Sequence, residues 1–156
     1  MAIPRALIAM SGGVDSSVAA YLAQQDGFDC IGATMLLHKG GGFASEDVED
    51  ARRVANKLEM PFYVFDFSED FSCHVVDDFV RCYEQGLTPN PCITCNRHLK
   101  FDRLLQQALE LGCNYVVTGH YAQICTDPQS RRYLLQKAAD TTKDQSYFCV
   151  CCRKTN

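Results

Sequence analysis

Residues Ser11-Gly12-Gly13-Val14-Asp15-Ser16-Ser17 directly follow the apolar run Ala6-Leu7-Ile8-Ala9-Met10. A short strand, a glycine-rich turn and the start of a helix are expected there. This arrangement sets backbone N–H groups and hydroxyls at a helix N-terminus, where an anion such as pyrophosphate is favoured. It differs from the Walker pattern, in which a first glycine and four spacer residues precede Gly-Lys-Ser/Thr. No lysine follows these glycines. The turn reads as a cradle for a nucleotide's phosphates that does without the lysine.

A second constellation is Gly86-Leu87-Thr88-Pro89-Asn90-Pro91-Cys92-Ile93-Thr94-Cys95-Asn96. Two prolines around an asparagine predict a rigid, irregular loop. Cys95 is expected immediately before a helix that carries Arg97 and Lys100. A helix start and nearby cations lower a thiol's pKa, which is how a nucleophilic cysteine is made. Cys30, Cys73, Cys82 and Cys113 fall inside periodic elements and read as inert and buried. Cys92 and Cys95 also form a Cys-x-x-Cys pair, as do Cys149 and Cys152. Two such pairs can supply a four-thiolate zinc or iron–sulfur site, and the first pair alone can serve as a redox switch.

Thr118-Gly119-His120-Tyr121 closes a strand with a glycine that permits close approach to a ligand. The histidine after it is suited to phosphate contact or proton transfer. Lys143-Asp144-Gln145-Ser146-Tyr147 mixes charge, amide and ring in a way that suits RNA contacts.

The elements that must position these residues alternate in type. Strands are expected at 5–10, 30–36, 61–67 and 115–118. Helices are expected at 15–25 with Val14, Val18, Tyr21 and Leu22 on one face, at 46–58, at 69–83 with Phe71, Val75, Phe79 and Val80 inward, and at 97–111. Residues 38–42 read as a flexible connection, and a hairpin is expected from 121–125 and 132–136. Alternating strands and helices predict an α/β fold, a parallel sheet with helices on both faces. In such sheets ligands sit beyond the carboxyl ends of the strands, where Ser11, Met35, Gly119 and His120 all fall.

The chain has 156 residues, 47% hydrophobic and 22% charged, in keeping with a globular domain. No stretch is long enough for a membrane span, and no export signal precedes the first strand, so a cytoplasmic setting with free thiols is expected for the ten cysteines. Residues 1–90 carry 6 Lys/Arg against 14 Asp/Glu, whereas residues 91–156 carry 9 against 5. The basic half starts at the cysteine motif and suits a phosphate-rich partner.

Taken together, Ser11–Ser16, Thr88-Pro89-Asn90-Pro91 with Cys95-Asn96, Lys100-Phe101, Thr118–Tyr121 and Lys143–Phe148 resemble the tRNA-specific 2-thiouridylase family, within the N-type ATP pyrophosphatases. The resemblance covers roughly residues 5–148. It implies a Rossmann-like, adenine nucleotide alpha hydrolase-like domain over 1–148 and an atypical, mobile tail over 149–156. It further implies that Ala9, Met10, Ser11, Gly12, Gly13, Val14, Asp15, Ser16 and Met35 bind ATP with Mg²⁺, with Gly119 beside the adenylate. Asn90, Pro91 and Cys92 would face the target uridine, Cys95 would be the nucleophile, and His120, Lys143, Asp144 and Gln145 would touch tRNA. The implied reaction adenylates the wobble uridine at O2, after which sulfur from a cysteine persulfide, supplied by a donor protein, displaces AMP. The chain departs from the family in two ways. Cys92 stands where many members have Asp, and members run to well over twice this length with a second catalytic cysteine downstream. An incomplete enzyme that binds ATP but thiolates poorly is therefore expected, with a non-catalytic ATP-binding fragment or a cysteine-ligated metal module as the competing readings.

Overall fold

The computed structural model describes residues 3–38 and 42–149. The chain divides into two compact units, residues 1–119 and 120–156.

The first unit is built on a four-stranded parallel sheet. Its strands are β1 (Arg5–Ala9), β2 (Asp29–Leu36), β3 (Phe62–Asp66) and β4 (Tyr115–Val117), in the order β3-β2-β1-β4. The register sets Ala6 opposite Cys30 and Tyr115, and Ile8 opposite Gly32 and Val117. Central β1 is covered on both sides, as its unbroken apolar sequence requires, with Ala6, Leu7 and Ile8 wholly buried.

Four helical stretches cover the sheet. They are α1 (Val14–Gln25), α2 (Gly42–Lys57), α3 and α4. The third, α3, runs through Ser68–Phe71, a widened π-type turn at Ser72–Val76, and Asp77–Glu84. The fourth, α4, runs through Pro91–Cys95, a second widened stretch at Asn96–Arg103, and Leu104–Glu110. Alternation along β1 divides the core in two. Ala6, Ile8 and Met10 pack with Ala20 and Ala23 of α1 and Ala51 and Ala55 of α2. Leu7 packs on the other face with Val75 of α3 and Leu99, Leu104 and Ala108 of α4. Small alanines on α1 and α2 let those helices lie close to the sheet. Gly32 does the same within it, since a Cβ there would stand 2.8 Å from Met10 Sδ. The expected fold class, a parallel sheet with helices on both faces, is what the chain adopts.

Several local expectations need correction. α1 buries Ser16, Ala20 and Ala23, while Val14, Val18, Tyr21 and Leu22 are exposed. The larger side chains do not decide the inward face here, because close packing on the sheet selects the small ones. On α3 only Val75 of the four expected inward residues is fully buried, and Phe79 and Val80 are exposed. Cys73 is exposed and Cys82 half-buried, so of the four cysteines read as inert only Cys30 and Cys113 are buried. The helix expected at 97–111 begins six residues earlier, at Pro91. Of the connection expected at 38–42, residues 39–41 lie outside the described residues.

α3 and α4 are tied together at their widened turns. The His74 and His98 rings stack at 4.8 Å with planes 9° apart. Arg103 Nε donates to Asp70 at 3.0 Å, and its guanidinium lies 5.7 Å from the Phe67 ring centre. This clasp fixes the helix that carries Cys92 and Cys95.

The second unit holds an antiparallel hairpin, β5 (Ala122–Thr126) and β6 (Tyr133–Lys137), shifted by one residue from expectation. Asp127 caps its turn by accepting from the N–H groups of Gln129 and Ser130 at 3.2 Å each. A short turn at Ser146–Cys149 follows, and Cys149 is buried there, against the expectation of a mobile segment starting at that residue. Residues 150–156, including Cys151 and Cys152 of the expected tail, lie outside the described residues.

Candidate functional site

The loop after β1 is shaped by serines bonding back onto glycine. Ser16 Oγ donates to the Gly13 carbonyl at 3.1 Å and accepts from Ser11 N–H at 3.2 Å. Ser17 Oγ donates to the same Gly13 carbonyl at 2.8 Å. Met10 N–H is held by the Ala33 carbonyl at 2.7 Å, which pins the loop to the end of the sheet. Gly12 has φ of 79°, a left-handed conformation that glycine adopts without strain. Gly13 is the N-cap of α1, and no side chain caps that helix end. The first-turn N–H groups of an α-helix have no partner within the helix. The serine bonds shape the loop around a helix end that no side chain caps, a geometry suited to an anion.

Two elements press on this loop. A Cβ on Gly12 would lie 2.8 Å from Asp50 Cβ and 3.0 Å from the Asp47 carbonyl, so α2 forms one wall. A Cβ on Gly119 would lie 2.8 Å from the Asp15 carbonyl carbon and 2.9 Å from Ser16 N, so the chain leaving β4 forms the other. The structure thus brings Gly119 against the first turn of α1, together with Ser11, Gly12, Gly13, Asp15 and Ser16. Val14 and Asp15 are exposed at the mouth. Met10 is a core residue, and only its backbone is at the loop. Ala9 and Met35 pack on the opposite face of the sheet, against the cluster around Leu7.

Cys95 packs against that same cluster. Its local setting departs from expectation in two respects. It lies in the second turn of α4 rather than ahead of a helix, since Asn90 is the N-cap and Pro91 the first helical residue. Proline is suited to that position because its missing N–H would be unpaired there anyway. Burial pushes the Cys95 thiol up, Lys100 pulls it down by less, and Cys92 adds a further upward push. Arg97 points to solvent and is not among the groups that act on it. The Cys95 thiol's pKa is thus raised, not lowered as expected, because desolvation outweighs the neighbouring cation. Cys92 is exposed on the turn before it.

In the second unit, Gln145 brackets Tyr121. Its N–H donates to the Tyr121 carbonyl at 2.8 Å, and its Oε1 accepts from Tyr121 N–H at 3.0 Å. Asp144 Oδ1 accepts from Ala138 N–H at 2.8 Å, and Oδ2 accepts from Ser146 Oγ at 2.8 Å. These contacts, the Ala138 N–H above all, hold the Asp144 carboxyl below the usual carboxylate range. Lys143 Nζ sits 5.2 Å from the Tyr121 ring centre. The motif 143–146 thus builds its own scaffold, and Asp144 and Gln145 spend most of their bonding capacity on it. His120 opens this unit.

A family model described as "tRNA methyl transferase HUP domain" matches residues 4–156. The chain belongs to this family. It is 52% identical over 151 residues to the tRNA-specific 2-thiouridylase MnmA of Clostridioides difficile, covering 92% of this chain and 42% of that protein. It is 48% identical to MnmA 2 of Clostridium tetani, with the same two coverages not differing in kind: each relative extends well beyond the match. The chain spans about two-fifths of the length of the curated relatives it matches, 42% for the first. Among solved structures, the glutamine-dependent NAD⁺ synthetase of Acinetobacter baumannii, a complex with ADP, superposes with a TM-score of 0.52 at 17% identity, over 72% of this chain and 21% of that one. A predicted tRNA methyltransferase subunit of Methanocaldococcus jannaschii gives 0.52 at 14% identity, over 75% and 53%. At such identities the likeness shows the fold alone.

Two features of this HUP-family domain escape a reading of its sequence. One is the wall that Asp47 and Asp50 of α2 give the glycine loop; the acidic run 46–50 is visible in the chain, but nothing local says that it meets Gly12. The other is Asn96, buried directly after Cys95, where asparagine is ordinarily exposed. Among the described residues no group of three His, Cys, Asp or Glu side chains is placed to hold a metal ion. No helix of the described residues is long and apolar enough to cross a membrane.

Proposed function

We propose that this chain is the nucleotide-binding and uridine-activating part of a tRNA 2-thiouridylase working in the cytoplasm, with residues 1–148 as its ATP-pyrophosphatase domain. The observation that carries the nucleotide assignment is the uncapped start of α1, walled by Gly12 against α2 and by Gly119 against the Asp15–Ser16 backbone. The loop N–H groups and the Ser11 hydroxyl take the phosphates of ATP. A side chain at either glycine fills the space that this approach needs. Gly119 lies beside the adenylate, and Met35, whose side chain packs on the other face of the sheet, reaches the nucleotide through its backbone at the end of β2. Mg²⁺ supplies charge neutralisation to the departing pyrophosphate. Asp15, exposed on the first turn, is the carboxylate that would meet it.

Asn90, Pro91 and Cys92 face the target uridine, whose O2 becomes a good leaving group once it carries AMP. Cys95 handles the sulfur supplied by a persulfide donor protein. His120 and Lys143 contact the tRNA, and Asp144 and Gln145 serve that contact by fixing the loop on which Lys143 stands. The relatives' printed function, thiolation of tRNA uridine, supports this reading, and so does the basic balance of residues 91–156.

A second reading, ATP binding without sulfur transfer, is favoured by one observation, the packing of half-buried Cys95 against the apolar cluster around Leu7, which raises its thiol pKa. ATP–pyrophosphate exchange separates the two. Exchange that depends on unmodified tRNA is expected from the first reading. Tight ATP binding with no exchange, with or without tRNA, refutes it and leaves the second.

A further inference from the structure

We infer that Cys92 and Cys95 form a dithiol pair that closes reversibly to a disulfide in exchange with small disulfides. The inference rests on geometry and holds whether or not Cys95 takes part in sulfur transfer. Both residues belong to the Pro91–Cys95 segment, three positions apart, and both are free thiols. Side chains three apart on a helix share a face, with Cβ atoms about 5–6 Å from each other. Their proximity is felt electrostatically, since Cys92 acts directly on Cys95. A disulfide needs the Cβ atoms at about 3.5–4.5 Å, so the turn has to tighten by about 1–2 Å.

The turn in question is weakly held. Ile93 N–H donates to the Asn90 carbonyl at 3.2 Å and to Asn90 Oδ1 at 3.4 Å, and Thr94 N–H donates to the Asn90 carbonyl at 3.4 Å. These lie at or beyond the long end of the normal range, so distorting the turn costs little. Beyond it, α4 is anchored by Leu99 and Leu104 in the core and need not move.

Exposure fixes the order of events. Cys92 is exposed and Cys95 half-buried. The Cys92 thiolate attacks a small disulfide, R–S–S–R, forming a mixed disulfide and expelling one R–S⁻. Cys95 then gives its proton to solvent base, and its sulfur attacks Cys92 Sγ. The bond from Cys92 to R–S breaks, and the second R–S⁻ leaves with the electron pair and is protonated. Two protein thiols are oxidised by two electrons, and one small disulfide is reduced to two thiols. A small thiol reverses the sequence.

The test uses the whole chain and glutathione disulfide. After acid quenching and trypsin digestion, peptide 82–97 is sequenced by tandem mass spectrometry, because it carries Cys82, Cys92 and Cys95 together. The expected product lacks two hydrogens, with fragment ions missing between 92 and 95, and it reverts with reduced glutathione. Iodoacetamide labelling is then lost at Cys92 and Cys95 with no glutathione on either, whereas exposed Cys73 is found either labelled or carrying glutathione. Cys95→Ser traps glutathione on Cys92, and circular dichroism checks that this variant is folded. Glutathione that stays on Cys92 in the unaltered chain, or a bond that joins Cys82 instead, overturns the inference.

Discussion

Replacing Gly119 by alanine tests the nucleotide site at the point where its construction is tightest. The added Cβ would stand 2.8 Å from the Asp15 carbonyl carbon, 2.9 Å from Ser16 N and 3.0 Å from the Asp15 carbonyl oxygen, against 3.4 Å for an ordinary contact. All three neighbours are backbone, so no side chain can swing aside. Relief requires the first turn of α1 and the end of β4 to part by about 0.6 Å, the difference between those distances. A shift of that size takes a phosphate hydrogen bond from its usual length past its useful limit. Losing one hydrogen bond to a charged group costs about 1.5–3 kcal/mol, or about 10- to 150-fold in affinity. Titration calorimetry with ATP and Mg²⁺ reads the affinity, and urea unfolding reads the stability separately. Gly27→Ala is the control. Its φ of 86° strains an alanine, but nothing lies within 4 Å of the new atom and the site is at the far end of α1. That variant is expected to lose about 1–2 kcal/mol of stability and keep its ATP affinity. If folded Gly119→Ala binds ATP within twofold of the parent, or Gly27→Ala weakens binding as much, the proposed cradle is wrong.

Gly12→Val forces a left-handed φ on a branched residue and drives its side chain into Asp50 and the α2 backbone; calorimetry is expected to show ATP binding abolished or weakened beyond Gly119→Ala. Asn90→Ala removes the cap of α4 and is expected to cost stability at the low end of the usual range, about 0.5–1 kcal/mol by urea unfolding, because the side-chain bond it deletes is 3.4 Å long. Burial raises the folded-state pKa of Cys30, Cys95 and Cys113, so each contributes stability that is complete below the unfolded thiol pKa of about 8.5 and is lost as pH climbs through the folded value. The urea midpoint is therefore expected to fall from neutral to strongly alkaline pH, and a midpoint that rises over that interval contradicts the burial argument. Gln145→Ala removes the Oε1 acceptor of the Tyr121 N–H but keeps the backbone bond to the Tyr121 carbonyl, and hydrogen exchange at the Tyr121 amide is expected to accelerate while the amides of β1 stay protected.

The sequence carried the architecture well because alternation of apolar runs and helical periods is a property of many residues at once. β1 to β4 fall where the apolar runs lie, and Ser11–Ser16 follows β1 as its glycines and serines require. What failed was the choice of face. On α1 the apolar period picks out Val14, Val18, Tyr21 and Leu22, yet Ala20 and Ala23 meet the sheet. Which face turns inward depends on how near the helix must lie to β1 and β2, and that distance is a tertiary quantity. The start of α4 failed for a related reason. Pro89 and Pro91 read as loop formers, but a proline one residue past an asparagine cap is also a helix start, and only the packing of Leu99 and Leu104 shows that the helix extends back to it.

The Cys95 thiol was the most consequential misreading, and its cause bears on how the site works. Residue types near a cysteine announce cations, and Lys100 does lower this thiol's pKa. They do not announce burial, which acts more strongly and in the opposite direction. Cys95 packs against the cluster of Leu7, Ile31 and Ala33, and an ion is disfavoured there until something compensates it. Whatever activates the thiol has to bring positive charge or expose the first turns of α4. A phosphate-rich substrate brings neither by itself, because its own charge opposes a thiolate. The compensating cation must then be organised around the substrate, or Cys95 must react through a form that is not a free thiolate. Cys95 is half-buried and its neighbour Cys92 exposed, so Cys92 is the thiol that meets small molecules first.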